Sequence, residues 1–317
     1  MKIVILESLK IPEERIQELA QPLIEAGHEF KYYSEKTTDP DEMIKRCQGA
    51  DIITLANNPF PEEVLDQLDM VKYINVAFTG VDHIPLIQAK DRDILVSNAA
   101  GYANTAVAEL VLGMTLNLFR QIKASDQEVR MTQEFPGIRQ GFEIKGKTVG
   151  IIGTGKIGKE TAKLFKAFGA HLMGFNRSRD PELIQMGMNY SSLEELLVKS
   201  DIITIHLPLN RETQQFFGED QLRAMKKSAV LINCARGPIV DSDALAKALI
   251  EGEIAGAGID VFDSEAPLRE DHPLLSAPNT LLSPHIGYFT HEAMDLRALI
   301  AFENIYKFLG NKPQNLI

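Results

Sequence analysis

Cysteine is scarce in this chain, with Cys47 and Cys234 the two among 317 residues. They lie far apart, and neither has a metal-ligand neighbour at short spacing. That excludes a disulfide scaffold and suits a reducing compartment; both read as small buried residues. Long apolar runs are also missing. No stretch approaches the roughly 20 residues of a membrane span, and Met1 to Glu7 is too short and too soon charged for a secretory signal. The expectation is a cytoplasmic protein with no membrane partner. Blocks of like charge are absent as well. The net charge of −11 is spread along the chain, which favours solubility and disfavours nucleic acid, yet leaves room for an anionic substrate at a locally positive site. His28, His83, His171, His272 and His291 have no partners at zinc-ligand spacing, so no metal is expected.

The apolar fraction is 44%, and the chain is long enough for two domains that each bury a core. Short apolar strands alternate with helical patterns. They are Ile3 to Leu6, Ile52 to Leu55, Tyr73 to Val76, Ile94 to Ser97, Val149 to Ile152, Ile202 to Leu207, Val230 to Asn233, Ile259 to Phe262 and Thr280 to Ser283. This alternation predicts an α/β chain with parallel sheets. Apolar stripes at Val107, Leu110, Val111, Met114 and Leu118, and at Leu299, Phe302, Ile305, Tyr306 and Leu309, read as core or as subunit interface.

Thr148-Val149-Gly150-Ile151-Ile152 runs into Gly153-Thr154-Gly155-Lys156-Ile157-Gly158, and an amphipathic run then continues to Phe168. A Gly-x-Gly-x-x-Gly loop between a strand and a helix is the setting a dinucleotide needs. The first glycine makes the tight turn and the second lets the backbone approach a pyrophosphate. The third lets the helix pack on the strand, with its N-terminal amides facing the phosphates. Because this loop lies near the middle of the chain, about 100 residues of α/β pattern precede it and require a second domain. The expected architecture is two doubly wound parallel-sheet domains. A Rossmann nucleotide-binding domain (99–287) is inserted in a flavodoxin-like substrate domain (1–98 with 288–317), leaving a cleft at the strands' carboxyl ends.

Three later segments each place a polar residue just after a predicted strand: Asn233-Cys234-Ala235-Arg236-Gly237, Asp260-Val261-Phe262-Asp263-Ser264-Glu265 and Ser283-Pro284-His285-Ile286-Gly287. In a doubly wound sheet such loops converge where the nucleotide lies. A guanidinium at Arg236 can bind a carboxylate at two points and an imidazole at His285 can exchange a proton near neutral pH. A carboxylate at Glu265 can hold the imidazole's tautomer and favour its charged form. The set suits reduction of a carbonyl beside a carboxylate. Taken singly, each residue has a plainer reading as a surface ion pair, a solvated acid or a loop cap; the ordered set beside a dinucleotide loop favours chemistry.

The chain resembles the D-isomer-specific 2-hydroxyacid dehydrogenases, a family that includes D-lactate dehydrogenases, glyoxylate and hydroxypyruvate reductases and phosphoglycerate dehydrogenases. The resemblance runs over nearly the whole chain. It is carried by Gly80-Val81-Asp82-His83, Asn98 to Glu109, the glycine loop, His206-Leu207-Pro208-Leu209 with Thr213, Asn233 to Gly237, Gly258 to Glu265, and Ser283 to Gly287. It implies Arg236 as substrate clamp, His285 as acid/base and Glu265 as its partner. It also implies that backbone amides around Thr79 and Gly80 receive the substrate carboxylate, and that Asp260 holds the nicotinamide amide. Pro208, Thr213, Cys234, Ala235 and Gly287 fall in the implied cofactor site, which His206 lines through its backbone rather than as a proton donor. The family has proline directly after the glutamate, whereas Ala266 precedes Pro267 here, a difference in local loop shape.

About 20 residues after the glycine loop an NAD site carries a carboxylate for the ribose hydroxyls. That place holds Asn176, Arg177 and Ser178. Arg177 can pair with a 2′-phosphate that a carboxylate would repel, so NADP(H) is favoured over NAD(H). The rim of the first domain, including Asn57, and the neighbourhood of Tyr288 contain no Lys or Arg for a phosphorylated substrate. A small 2-oxo acid such as glyoxylate, hydroxypyruvate or pyruvate is therefore expected as the partner. The alternatives are a formate- or phosphite-type dehydrogenase and a nicotinamide-sensing binding protein related to corepressors. The resemblance, with the apolar Val107 to Leu118 helix, implies a homodimer.

Overall fold

The computed structural model describes residues 1–133, 140–263 and 267–317. The chain divides into two compact units, Met1–Ala103 with Phe289–Ile317, and Asn104–Tyr288. Residues 99–103, expected in the nucleotide-binding unit, join the first. The Ala99 N–H donates to the Phe78 carbonyl at 2.9 Å, and the Tyr102 ring lies against Phe78 and under the Arg297 guanidinium. Tyr288 falls in the second unit, its ring beside that of His285.

The first unit holds five parallel strands, β1 (Lys2–Ile5), β2 (Glu29–Tyr32), β3 (Ile52–Leu55), β4 (Tyr73–Val76) and β5 (Leu95–Asn98), in the order β2-β1-β3-β4-β5. This is the flavodoxin-like order. Strands β3 and β4 are buried along their whole length, as parallel strands covered on both faces must be. Edge strand β2 alternates exposed and half-buried residues. The helix His291–Leu309 buries Ala298, Ala301, Phe302 and Ile305 against Ile3, Ile5, Ile52 and Tyr73.

The second unit holds seven parallel strands: β6 (Thr148–Ile152), β7 (His171–Phe175), β8 (Asn189–Tyr190), β9 (Ile202–Ile205), β10 (Val230–Asn233), β11 (Gly256–Ile259) and β12 (Thr280–Leu282). Their order, β12-β11-β10-β9-β6-β7-β8, reverses direction between β6 and β9. In open α/β sheets that reversal marks the ligand crevice. Strand β11 begins three residues before the expected start at Ile259, because Gly256, Ala257 and Gly258 form it. A Cβ on Gly258 would come within 2.9 Å of Ile232 and 3.1 Å of Met114, so glycine there admits the Asn104–Arg120 helix. That helix buries Val107, Val111 and Met114 within its own chain and leaves Leu110 and Leu118 half-buried. The following helix, Ile122–Thr132, buries no residue and exposes Ile122, Val129 and Met131.

The two units share one device. Asp51-Ile52-Ile53-Thr54 opens β3 and Asp201-Ile202-Ile203-Thr204 opens β9. Each aspartate accepts the N–H that starts the neighbouring strand, Lys2 or Thr148, at 2.9 Å.

Candidate active site

In the second unit the carboxyl ends of five strands lie in one register row: Ile152 beside Ile205, Ile205 beside Asn233, Asn233 beside Ile259, and Ile259 beside Leu282. The next residue of each strand therefore forms a second row, Gly153, His206, Cys234, Asp260 and Ser283. With strands about 4.8 Å apart, the loop after β10 that carries Arg236 starts about 10 Å from the glycine loop.

Each glycine of that loop has a distinct steric reason. Gly153 has φ +92°, and a Cβ there would meet the His206 carbonyl oxygen at 2.7 Å. A Cβ on Gly158 would lie 2.1 Å from the Gly153 oxygen, so the Lys156–Ala167 helix packs on its loop only with glycine at this position. Around Gly155 nothing lies within 4 Å of the Cβ position. Gly155 and Lys156 are exposed and Ile157 half-buried at the helix N-terminus, where a bare backbone and a positive dipole end can meet phosphate. The loop fits a dinucleotide pyrophosphate.

After β7, the Asn176 amide donates to the Ser178 carbonyl at 3.0 Å. Arg177 pairs with Glu212 from the loop after β9, both side chains largely exposed. Sequence reasoning missed Glu212, a surface ion pair between separate loops that leaves no local pattern. His206 donates its backbone N–H to Ile152 at 2.7 Å, and its ring Nε2 lies 3.0 Å from Thr204 Oγ1. Burial of that ring pushes its pKa down to about 3, which keeps the imidazole neutral. The Thr213 hydroxyl donates to the Pro208 carbonyl at 2.6 Å and fixes the loop between them. Cys234 is buried with its sulfur 3.8 Å from that of Met114, and burial raises its thiol pKa, which disfavours the reactive thiolate.

Asn233 closes an Asx turn on the next loop. Its Oδ1 accepts the Ala235 N–H and its Nδ2 donates to the Arg236 carbonyl, both at 3.0 Å. Arg236 is half-buried and extended, with Nη1 2.9 Å from the Ala235 oxygen. Gly237 follows because a Cβ there would overlap the Phe262 carbonyl.

Asp260, 1% exposed, gathers the last loop. Its Oδ1 accepts the Ser283 hydroxyl at 2.5 Å and the Ile286 N–H at 2.8 Å, and its Oδ2 accepts the Gly287 N–H at 2.7 Å. Its carbonyl accepts the His285 N–H at 2.7 Å. His285 itself has φ +54°, in the left-handed region that few side chains adopt, and its ring stands edge-on to Tyr288 with centroids 5.2 Å apart. Sequence reasoning assigned Asp260 to the cofactor. The structure places three protein donors on its carboxylate and missed from sequence was Ser283, one of them. Glu265 lies outside the described residues; on its flank, Asp263 bonds the buried His272 at 3.0 Å.

The first unit carries the other expected residues. Thr79 and Gly80 follow β4, with Thr79 exposed and Gly80 half-buried. Asn57 follows β3, between Ala56 and Asn58, whose N–H groups both donate to the buried Glu7 Oε1 at 2.8 and 3.0 Å. Among the described residues no three His, Cys, Asp or Glu form a group able to hold a metal ion, and no helix is long and apolar enough to cross a membrane.

Residues 112–287 match the family described as D-isomer specific 2-hydroxyacid dehydrogenase, NAD binding domain. The chain belongs to that family. It is 38% identical over 315 residues to a glyoxylate reductase of Thermofilum pendens, covering 97% of this chain and 92% of the relative. It is also 38% identical to a glycerate dehydrogenase of Methylorubrum extorquens, with 92% of each chain covered. Among solved structures, an acyclic imino acid reductase in complex with NADPH and D-Arg superposes with a TM-score of 0.88 at 30% identity, over all of both chains. The present dehydrogenase is thus a nicotinamide-dependent oxidoreductase that interconverts 2-oxo acids and D-2-hydroxy acids.

Proposed function

We propose that the enzyme reduces a small 2-oxo acid such as glyoxylate, hydroxypyruvate or pyruvate, with NADPH preferred to NADH. The carrying observation is the register row that hangs the glycine loop, the Arg236 loop and the Asp260-tied His285 loop from successive strand ends of one sheet. Glyoxylate reductase and glycerate dehydrogenase relatives support the substrate class. A bound nicotinamide supplies the hydride. In the second unit, Arg236 orients the acid and polarises its carbonyl oxygen, while protonated His285 delivers a proton to that oxygen as it becomes an alkoxide. Glu265 is the proposed carboxylate partner that favours the imidazolium, so reduction weakens as pH rises through the imidazole's titration and oxidation gains. In the first unit, the Thr79 and Gly80 amides receive the substrate carboxylate; among the described residues no acceptor meets either N–H. Asn57 lines the rim.

Arg177, Asn176 and Ser178 support the NADPH preference, with Arg177 exchanging its Glu212 contact for a 2′-phosphate. The exposed Ile122, Val129 and Met131 of the Ile122–Thr132 helix, with Phe142, support a homodimer built on this surface. A monomer mass in solution overturns that part.

The test is oxidation of NADPH and NADH, in parallel, by glyoxylate, hydroxypyruvate, pyruvate, 2-oxoisocaproate and phenylpyruvate. Turnover should be fastest with one of the small acids and NADPH, and His285→Ala or Arg236→Ala should lower it by at least about a hundredfold with cofactor binding kept. Equal efficiency with both cofactors rejects the preference. Near wild-type rates in either variant reject the assignment of roles.

A further inference from the structure

The peptide joining Thr79 to Gly80 is held from one side. Its oxygen accepts the Asn98 Nδ2 at 2.9 Å. In a trans peptide the C=O and the following N–H point in opposite directions, so a bond to the Thr79 oxygen aims the Gly80 N–H away from Asn98. Asn98 is itself held at every polar group. Its N–H donates to the Asn315 carbonyl at 3.1 Å, its carbonyl accepts Asn304 Nδ2 at 3.0 Å, and its Oδ1 accepts the Ala100 N–H at 3.2 Å. The last bond fixes the amide's orientation and leaves Nδ2 for Thr79. Asn304, fully buried, is fixed in turn by Asn75 Oδ1 at 3.1 Å and by the Gln314 and Asn315 amides at 3.2 and 2.9 Å.

Such bracing has a use. A peptide that precedes glycine flips easily, because glycine tolerates both signs of φ. Flipped, this one would present the Thr79 oxygen where the Gly80 N–H now points, and an anion there would meet a negative dipole end in place of a donor.

We propose that Asn98 is a positioning residue for substrate: it locks the Thr79–Gly80 peptide in the orientation that offers an N–H to the 2-oxo acid's carboxylate. This rests on the reading that these amides receive that carboxylate. Asn98 touches no reacting atom, so its removal acts on substrate affinity and spares the proton and hydride steps.

The experiment compares wild type with Asn98→Ala and with the isosteric Asn98→Asp, which keeps the acceptor for Ala100 and loses the donor to Thr79. The readouts are KM and kcat for the preferred 2-oxo acid, the inhibition constant of oxamate, the Kd of NADPH and the melting temperature. The expected result is a rise of at least about tenfold in KM and in the oxamate constant for both variants, with kcat within about threefold and NADPH affinity unchanged. Unchanged KM and oxamate constants in either folded variant overturn the positioning role and leave the site reading standing. A parallel fall in NADPH affinity and kcat overturns it in favour of a general structural role. A wild-type enzyme that turns over no 2-oxo acid and is indifferent to oxamate removes the site reading and this inference together.

Discussion

Replacing Asp260 by asparagine separates two roles for this carboxylate. Three donors converge on it, Ser283 Oγ and the Ile286 N–H on Oδ1 and the Gly287 N–H on Oδ2. An asparagine has one acceptor oxygen. Turned toward Ser283 and Ile286 it keeps two bonds, and its NH2 then faces the Gly287 N–H, donor against donor. A buried N–H left unsatisfied costs about 1–3 kcal/mol, and the two retained bonds lose their charge assistance. The sum is about 2–4 kcal/mol, falling on the segment that keeps His285 in its left-handed conformation. Urea unfolding should show that loss, and kcat for 2-oxo acid reduction should drop at least about tenfold as the imidazole loses its fixed place. Cofactor affinity should change little. It is read from the emission of the reduced nicotinamide itself, since the chain has no tryptophan to quench. A variant of unchanged stability whose NADPH Kd rises tenfold would refute this reasoning and favour the nicotinamide-binding role implied by the family resemblance.

Gly158→Ala should weaken NADPH binding by at least about tenfold in a titration, because the new methyl would sit 2.1 Å from the Gly153 oxygen and push the glycine turn out of shape; unchanged affinity would remove the steric account. Glu212→Gln should tighten NADPH binding severalfold and leave NADH within about twofold, an effect that should vanish when Arg177 is also replaced; equal changes for both cofactors would show that the pair plays no part in choosing between them. His206 carries its proton far less readily in the fold than its ordinary value of 6.5, with a pKa of about 3. The neutral form is thus the one the fold favours, so the stabilisation is complete above pH 6.5 and is lost as pH falls from there toward 3. Melting temperatures across that window should fall less steeply for His206→Gln than for wild type, and parallel curves would count against this account.

The parts of this molecule visible in the sequence are those where one residue type alone satisfies a local constraint. Gly153, Gly155 and Gly158 stand out because side chains would strike backbone or block an open surface. Strands β3, β4, β6, β9 and β10 read as apolar runs because helices cover both faces. Strand β2, Glu-Phe-Lys-Tyr, lies at an edge and mixes polar with apolar residues, so no run marks it. The start of β11 was hidden because its glycines are there for a close helix crossing, which strand propensity does not register. The places of Arg236 and His285 just beyond strand ends were legible. The partners that hold their loops were not. Ser283 on Asp260, Asn98 on Thr79 and Glu212 on Arg177 join residues from 19 to 35 positions apart, and only the folded chain puts them side by side.

The left-handed backbone at His285 also bears on how this enzyme would respond to selection. Holding a side chain at φ +54° costs the fold about 1 kcal/mol relative to glycine. A glycine at this position would relax the turn and remove the proposed proton donor in the same step. A library screened for heat tolerance alone would therefore enrich a sturdier protein that has stopped working, and directed evolution of this scaffold needs turnover in every round.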